Sequence, residues 1–250
     1  MLHKNKPKIL VATLFSEVKN YCIKDWYKNS ICKLTYPSFD FCAIDNSKDP
    51  KYHRRIYHFF DNLKKKSHID KLTVIHTPRI HEKSEVFMAD SLNALRKHFL
   101  ENEYDWLVLN ECDVYTPPDI IERLLSYNMQ IISALYFSGD KSASYPVISG
   151  INFFFNENPI IYVKSYIEGF YDIGEIEIPK QVLSAGLGCI LIYKDILQKI
   201  PFRYDDELCN FPDSVFAKDL WDNNIQNLYV PIICRHENQL WEKQFKMIKG

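Results

Sequence analysis

The stretch Tyr104-Asp105-Trp106-Leu107-Val108-Leu109-Asn110-Glu111-Cys112-Asp113-Val114-Tyr115-Thr116-Pro117-Pro118-Asp119 organises the reading of this chain. Four apolar residues, Trp106 to Leu109, form a short run that reads as a buried strand, and it passes straight into an acidic triplet. Pro117-Pro118 then opens the next helix, at Asp119–Ser126. On a strand end, side chains alternate with period two, so Glu111 and Asp113 point the same way and can share one cation. A hard ion such as Mg²⁺ or Mn²⁺ takes oxygen ligands and is commonly completed by substrate phosphates, so one or two protein carboxylates suffice. The plainer alternative is an acidic turn that caps the loop before Pro117.

Upstream, Lys8–Thr13, Phe39–Asn46 and Leu72–Ile75 read as further strands. Helices are expected at Ser16–Ser30, Tyr52–Lys66 and Ser84–Phe99 between them. Strands alternating with helices imply a parallel sheet, because parallel neighbours need crossover connections. Past residue 126 the texture is more mixed. Ile131–Tyr136, Pro146–Phe155, Ile160–Val163, Gly188–Tyr193 and Leu228–Ile233 look like strands, and Asp195–Lys199 and Asp213–Asn223 look helical. The fold class is therefore α/β, a mostly parallel central sheet with a mixed α+β C-terminal extension. Ligands of open α/β sheets bind beyond the carboxyl ends of the strands, which selects Thr13, Asp45-Asn46 and Glu111-Cys112-Asp113.

Composition bounds the rest. The 250 residues carry 31 basic and 32 acidic side chains and are 46% hydrophobic. Disorder is excluded, and the strong basic field of a nucleic-acid-binding protein is missing. Seven widely spaced cysteines without a CxxC pair argue for reduced thiols rather than a disulfide framework or a zinc knuckle. No apolar run approaches the roughly 20 residues of a membrane span, and residues 1–6 lack a signal-peptide core. A cytoplasmic location is the expectation. Residues 1–250 read as a single domain, dividing at about 119/120, with a tail over 238–250.

The segment 104–119 resembles the region around the DxD motif of family-2-like glycosyltransferases of the GT-A, Rossmann-like fold: "YD", an apolar strand, an acidic pair, then a Pro-rich helix start. Ile131–Tyr136 is similar to the strand that follows it there. Ser184–Leu197 resembles that family's small-residue loop, strand and short helix, and Phe211–Leu220 its acidic motif opening a helix. His236, after Tyr229-Val230-Pro231, lies where a terminal histidine is often found. The likeness runs over residues 8 to 237, and it implies a nucleotide-sugar-binding half at about 8–119 and an acceptor-side half at about 120–237.

What the resemblance implies is a metal-dependent glycosyltransferase using Mn²⁺ or Mg²⁺ and a nucleotide-diphosphate sugar of the UDP or GDP type. Thr13, Asp45 and Asn46 would contact the nucleoside. Asp113, helped by Glu111 and completed by His236, would hold the metal on the diphosphate, and Asp213 would be the catalytic base. The acceptor would be a glycan, a lipid-linked sugar, a protein or a small molecule, with modified DNA as a minority reading. Plainer readings stand beside these: His236 as a loop histidine, Asp213 as a helix N-cap. Glu111 replaces the usual first Asp, leaving Asp113 the safer direct ligand, and the anomeric outcome stays open between inversion and retention. Two alternatives compete: a sugar nucleotidyltransferase, and a catalytically inactive nucleotide-sugar-binding module. The first normally needs a Gly-rich phosphate loop, which Thr13-Leu14-Phe15-Ser16 does not offer.

Overall fold

A computed structural model describes residues 6–139, 144–146, 180–182, 186–206 and 211–237. The chain order is β1 (Ile9–Phe15), α1 (Ile23–Asn29), β2 (Phe39–Asp45), α2 (Pro50–Lys64), β3 (Ile69–His76), α3 (Ser84–Glu101), β4 (Trp106–Asn110), β5 (Val114–Tyr115), α4 (Ile120–Ser126), β6 (Ile131–Gly139), β7 (Ser144–Pro146), β8 (Lys180–Val182), β9 (Cys189–Tyr193), α5 (Lys194–Lys199), α6 (Pro212–Asp222) and β10 (Asn227–His236). The expected strands over 146–155 and 160–163 fall almost wholly outside the described residues, as do Glu207, Cys209, Trp241 and the 238–250 tail.

The main sheet has the order β3-β2-β1-β4-β9-β6-β10-β5. Strands β3, β2, β1 and β4 are parallel neighbours. Strand β9 inserts antiparallel between β4 and β6, and β10 returns parallel to β6. The sheet is mostly parallel, and the second half of the chain extends it, as the alternation of apolar runs predicted.

Both faces are covered, which is why the strands are apolar nearly throughout. On β1, Ile9 and Val11 enter one core with Trp26, Tyr27, Phe41 and Phe60, while Leu10 and Ala12 enter the other with Leu92, Leu95, Phe99 and Phe216. Tyr27 and Phe60 pack with ring centroids 4.1 Å apart, and Phe41 meets Phe60 at 5.6 Å. Each fully buried aromatic of this kind contributes about 2–3 kcal/mol. With few glycines available, three turns are made by Glu103, Asn128 and Asn224, which take φ of 55°, 52° and 56° just after α3, α4 and α6. Among the described residues no helix is long and apolar enough to cross a membrane.

One expected element differs. The helix expected over 16–30 is divided into a 3-10 turn at Glu17–Tyr21 and α1, and a second 3-10 turn follows at Ile31–Lys33. Tertiary anchors outweigh helix propensity there: the Glu17 N–H donates to Ser47 Oγ at 3.0 Å, and Lys19 is drawn onto Asp113.

Candidate active site

Strand β4 ends at Asn110, and Glu111 to Val114 form a tight turn closed by the Val114 N–H on the Glu111 carbonyl at 2.9 Å. Glu111 and Asp113 therefore converge across a turn, not along an extended strand as the period-two argument assumed. Buried Asn110 fixes the turn, its Nδ2 donating to the carbonyls of Val114 at 3.0 Å and Gly188 at 2.8 Å. Cys112 points the other way, into the core.

His236 reaches this turn through a pairing that no local pattern announces. Strand β10 runs on to His236 and pairs antiparallel with two-residue β5, placing His236 opposite Val114. The next residue, Glu237, donates its N–H to the Asp113 carbonyl at 2.6 Å. His236 Nε2 lies 3.4 Å from Asp113 Oδ2. Tyr136 meets the His236 ring edge-on at 5.7 Å and accepts the Gly188 N–H on its hydroxyl at 3.0 Å. A Cβ on Gly188 would lie 2.2 Å from Tyr136 Cζ, so the close approach this glycine allows is to Tyr136. Tyr136 is thus a buried support for the histidine.

Ligand atoms of Glu111, Asp113 and His236 all lie within 4.8 Å of one another. Asp113 Oδ1 is buried without a hydrogen-bond partner, and Oδ2 is ion-paired to Lys19 Nζ. A buried carboxylate oxygen left unpaired is costly, and a cation held between it and the neighbouring ligand atoms would satisfy it. Two carboxylates and one imidazole form a predominantly hard donor set that fits Mn²⁺ or Mg²⁺.

Electrostatics follow the same geometry. Burial opposes the charged form of Asp113, but hydrogen bonding from His236 and the Lys19 ammonium outweigh it and hold its pKa below the ordinary value. Lys19 is shifted upward because its attraction to Asp113 overcomes its own desolvation. Glu111 is pushed up to about 7 by burial and by the neighbouring Asp113 charge. Lys19 is not legible in the sequence: residue 19 falls inside the helix expected over 16–30, and nothing local ties it to residue 113.

Asp213 stands in the first turn of α6, which is entered through Pro212. The helix cap is Phe211, so the alternative of Asp213 as N-cap is corrected: its Oδ1 accepts the Ser214 N–H at 2.8 Å. Burial raises its pKa. Asp213 and Glu111 line one cleft of about 200 Å³, walled by Leu14, Met88, Leu109 and Leu187.

The remaining expected contacts lie along the carboxyl edge of the sheet. Thr13, two residues before the end of β1, and Asp45, the last residue of β2, are both fully enclosed. Asn46, also buried, is held by Arg79, whose Nε donates to the Asn46 carbonyl at 2.7 Å. Asn93 and Arg96 of α3 are half-buried and bond to backbone. Asn93 Oδ1 accepts the Phe202 N–H at 3.1 Å, and Arg96 Nη2 donates to the Gln198 carbonyl at 3.2 Å, so both fasten α3 to the α5 region. Asp205 pairs with Arg203 and Asp206 with Lys83.

No protein-family profile matches the sequence, and no curated protein is similar to it. The architecture, however, matches solved structures. A mannosyltransferase, PcManGT from Pyrobaculum calidifontis, solved with GDP-Man and Mn²⁺, superposes with TM-score 0.60 at 12% identity, over 98% of this chain and 61% of that one. S. aureus TarS 1-349 superposes with TM-score 0.54 at 15% identity, over 89% of this chain and 60% of that one. Its complex with UDP gives TM-score 0.52 at 13% identity over 89% of this chain. The chain spans about three fifths of the length of these structures. The fold is that of the GT-A glycosyltransferases, as the sequence resemblance implied.

Proposed function

We propose that this chain transfers a sugar from a nucleotide-diphosphate sugar to a hydroxyl acceptor, with Glu111, Asp113 and His236 holding Mn²⁺ or Mg²⁺. The observation that carries the reading is the unpaired, buried Asp113 Oδ1 beside two further ligating groups, inside the fold of nucleotide-sugar enzymes. Structures of the same fold were solved with GDP-Man and Mn²⁺ and with UDP, which supports a donor of that type.

Bound there, a divalent ion supplies Lewis-acid stabilisation of the negative charge that builds on the departing diphosphate. The chain's own groups do the rest. Thr13, Asp45 and Asn46 form the nucleoside end, with Arg79 holding the Asn46 backbone. Lys19 adds a positive charge beside the diphosphate position. Asp213 accepts the proton of the acceptor hydroxyl as the oxygen bonds to the anomeric carbon; the bond from that carbon to the phosphate oxygen breaks, and its electron pair leaves with the nucleoside diphosphate. This is a single displacement, with inversion at the anomeric carbon. The apolar wall of Leu14, Leu109 and Leu187 keeps water from competing.

The test is incubation with a panel of UDP and GDP sugars and Mn²⁺, with nucleoside diphosphate release and product mass as readouts. Metal-dependent release that falls at least about 100-fold in Asp113→Asn supports the reading. Binding without release from any donor favours the inactive module. Release of inorganic pyrophosphate from a sugar phosphate and a nucleoside triphosphate favours the nucleotidyltransferase.

A further inference from the structure

The 3-10 turn Glu17–Tyr21 lies between the nucleoside end and the acidic turn and is tied to both. None of its five residues is buried, and Val18 and Tyr21 are 67% and 63% exposed. Buried Ser16 and Cys22 pin its two ends. Between those pins the turn is positioned by polar ties rather than by packing, and an element held in that way opens at low cost.

On one side the ties run to the segment that follows β2. The Asn46 N–H donates to the Phe15 carbonyl at 2.9 Å, just before the turn. The Glu17 N–H donates to Ser47 Oγ at 3.0 Å, and the Lys48 N–H donates to Glu17 Oε1 at 3.2 Å. The Tyr52 hydroxyl donates to Asn20 Oδ1 at 3.3 Å. Fully enclosed Ser47 is set in turn by Asp45, whose Oδ1 accepts the Ser47 N–H at 2.9 Å while its Oδ2 meets His76 Nδ1 at 3.3 Å. Turn and segment are thus stitched together, and the segment begins at Asp45 and Asn46. On the other side, Lys19 Nζ sits on Asp113 Oδ2.

We infer that this turn is a latch that couples nucleoside binding to metal binding. With the latch closed, Lys19 covers Asp113 Oδ2; a nucleoside held at Asp45 and Asn46 shifts the Ser47–Lys48 segment, and the turn follows, drawing Lys19 off the carboxylate. Resting on the site reading proposed above, the latch adds two positioning residues to it, Glu17 and Ser47, which act through Lys19. An order of events follows: the nucleoside docks first, and Asp113 is freed for the divalent ion second. Linkage makes the coupling reciprocal, so the ion tightens the nucleoside by the same factor as the nucleoside tightens the ion.

A phosphate-free probe isolates this route, because uridine and guanosine have no diphosphate through which to ligate the ion. Mn²⁺ affinity of the full-length chain is measured by electron paramagnetic resonance alone, with each nucleoside at millimolar concentration, and with UDP or GDP. In the wild type one of the two nucleosides tightens Mn²⁺ binding at least about fivefold. Ser47→Ala and Glu17→Ala lose that shift and keep the tightening by nucleoside diphosphate. Glu17→Gln, which retains the acceptor for the Lys48 N–H, retains the shift. Lys19→Met binds Mn²⁺ equally well with and without nucleoside, and circular dichroism confirms that every variant folds. Tightening by UDP or GDP with no effect of either nucleoside in the wild type leaves the proposed function standing and overturns the latch, as do equal nucleoside shifts in the wild type and Ser47→Ala. A wild type that binds no Mn²⁺ in any of these mixtures overturns the site reading and the latch together.

Discussion

Lys19 and Asp113, 94 residues apart in the chain, form an ion pair, so that the protein already carries a positive charge on the carboxylate best placed to hold a cation. The pair explains how Asp113, 2% exposed, remains ionised without a metal. It also makes Lys19 and a divalent ion competitors for one oxygen.

Lys19→Met is therefore expected to tighten Mn²⁺ binding severalfold while lowering donor turnover, because it removes both a competitor and a charge that meets the diphosphate. Breaking a buried pair by removing one partner costs about 3–5 kcal/mol. Lys19 is 36% exposed, so water screens part of the loss. A destabilisation of roughly 1–2 kcal/mol for the metal-free variant follows. Calorimetric Mn²⁺ titration and thermal melts with and without the metal check both parts.

Asp213→Asn separates stability from activity. Burial raises the Asp213 pKa from its ordinary 3.8, so the folded chain binds that proton more tightly than the unfolded chain does. Its contribution to stability is fully present below the unfolded value and is lost as pH rises through the raised folded value. At neutral pH the asparagine variant is thus expected to be at least as stable as the wild type, while transfer falls about 100-fold or more. In the wild type, the acidic limb of kcat/KM should lie above the ordinary aspartate range. Melting curves from pH 4 to 8 and a pH–rate profile measure the two effects.

Gly188→Ala tests the support of the histidine. The new Cβ would overlap the Tyr136 ring, which is locked in the core, so the ring must move and His236 with it. Overpacking of this kind costs about 1–3 kcal/mol. Tyr136→Phe keeps the ring and loses only the bond from the Gly188 N–H, about 1 kcal/mol. The alanine variant should lose more stability and more metal affinity than the phenylalanine variant, as read by unfolding and Mn²⁺ titration.

What was legible in the sequence was whatever depends on local pattern. The apolar runs at Lys8–Thr13, Phe39–Asn46 and Trp106–Leu109 announce β1, β2 and β4, and the parallel order follows from the helices between them. Glu111 and Asp113 stand out because they end a strand, although a turn rather than a pleat brings them together. The rest depends on contacts between distant segments. His236 needs the pairing of β10 with β5, Lys19 needs a helix broken by tertiary anchors, and the Asp45–His76 contact needs the register of two parallel strands. No periodicity encodes those relations; they are set when the sheet closes.

The most direct measurement is Mn²⁺ binding followed by electron paramagnetic resonance, with and without nucleoside diphosphate, in the wild type and in Asp113→Asn. The account predicts one Mn²⁺ per wild-type chain, bound more tightly when UDP or GDP is present, and loss of that tightening in the variant, whose melting curve still shows a cooperative fold. Equal Mn²⁺ affinity in the two proteins, or a wild-type affinity indifferent to either nucleotide, would contradict it.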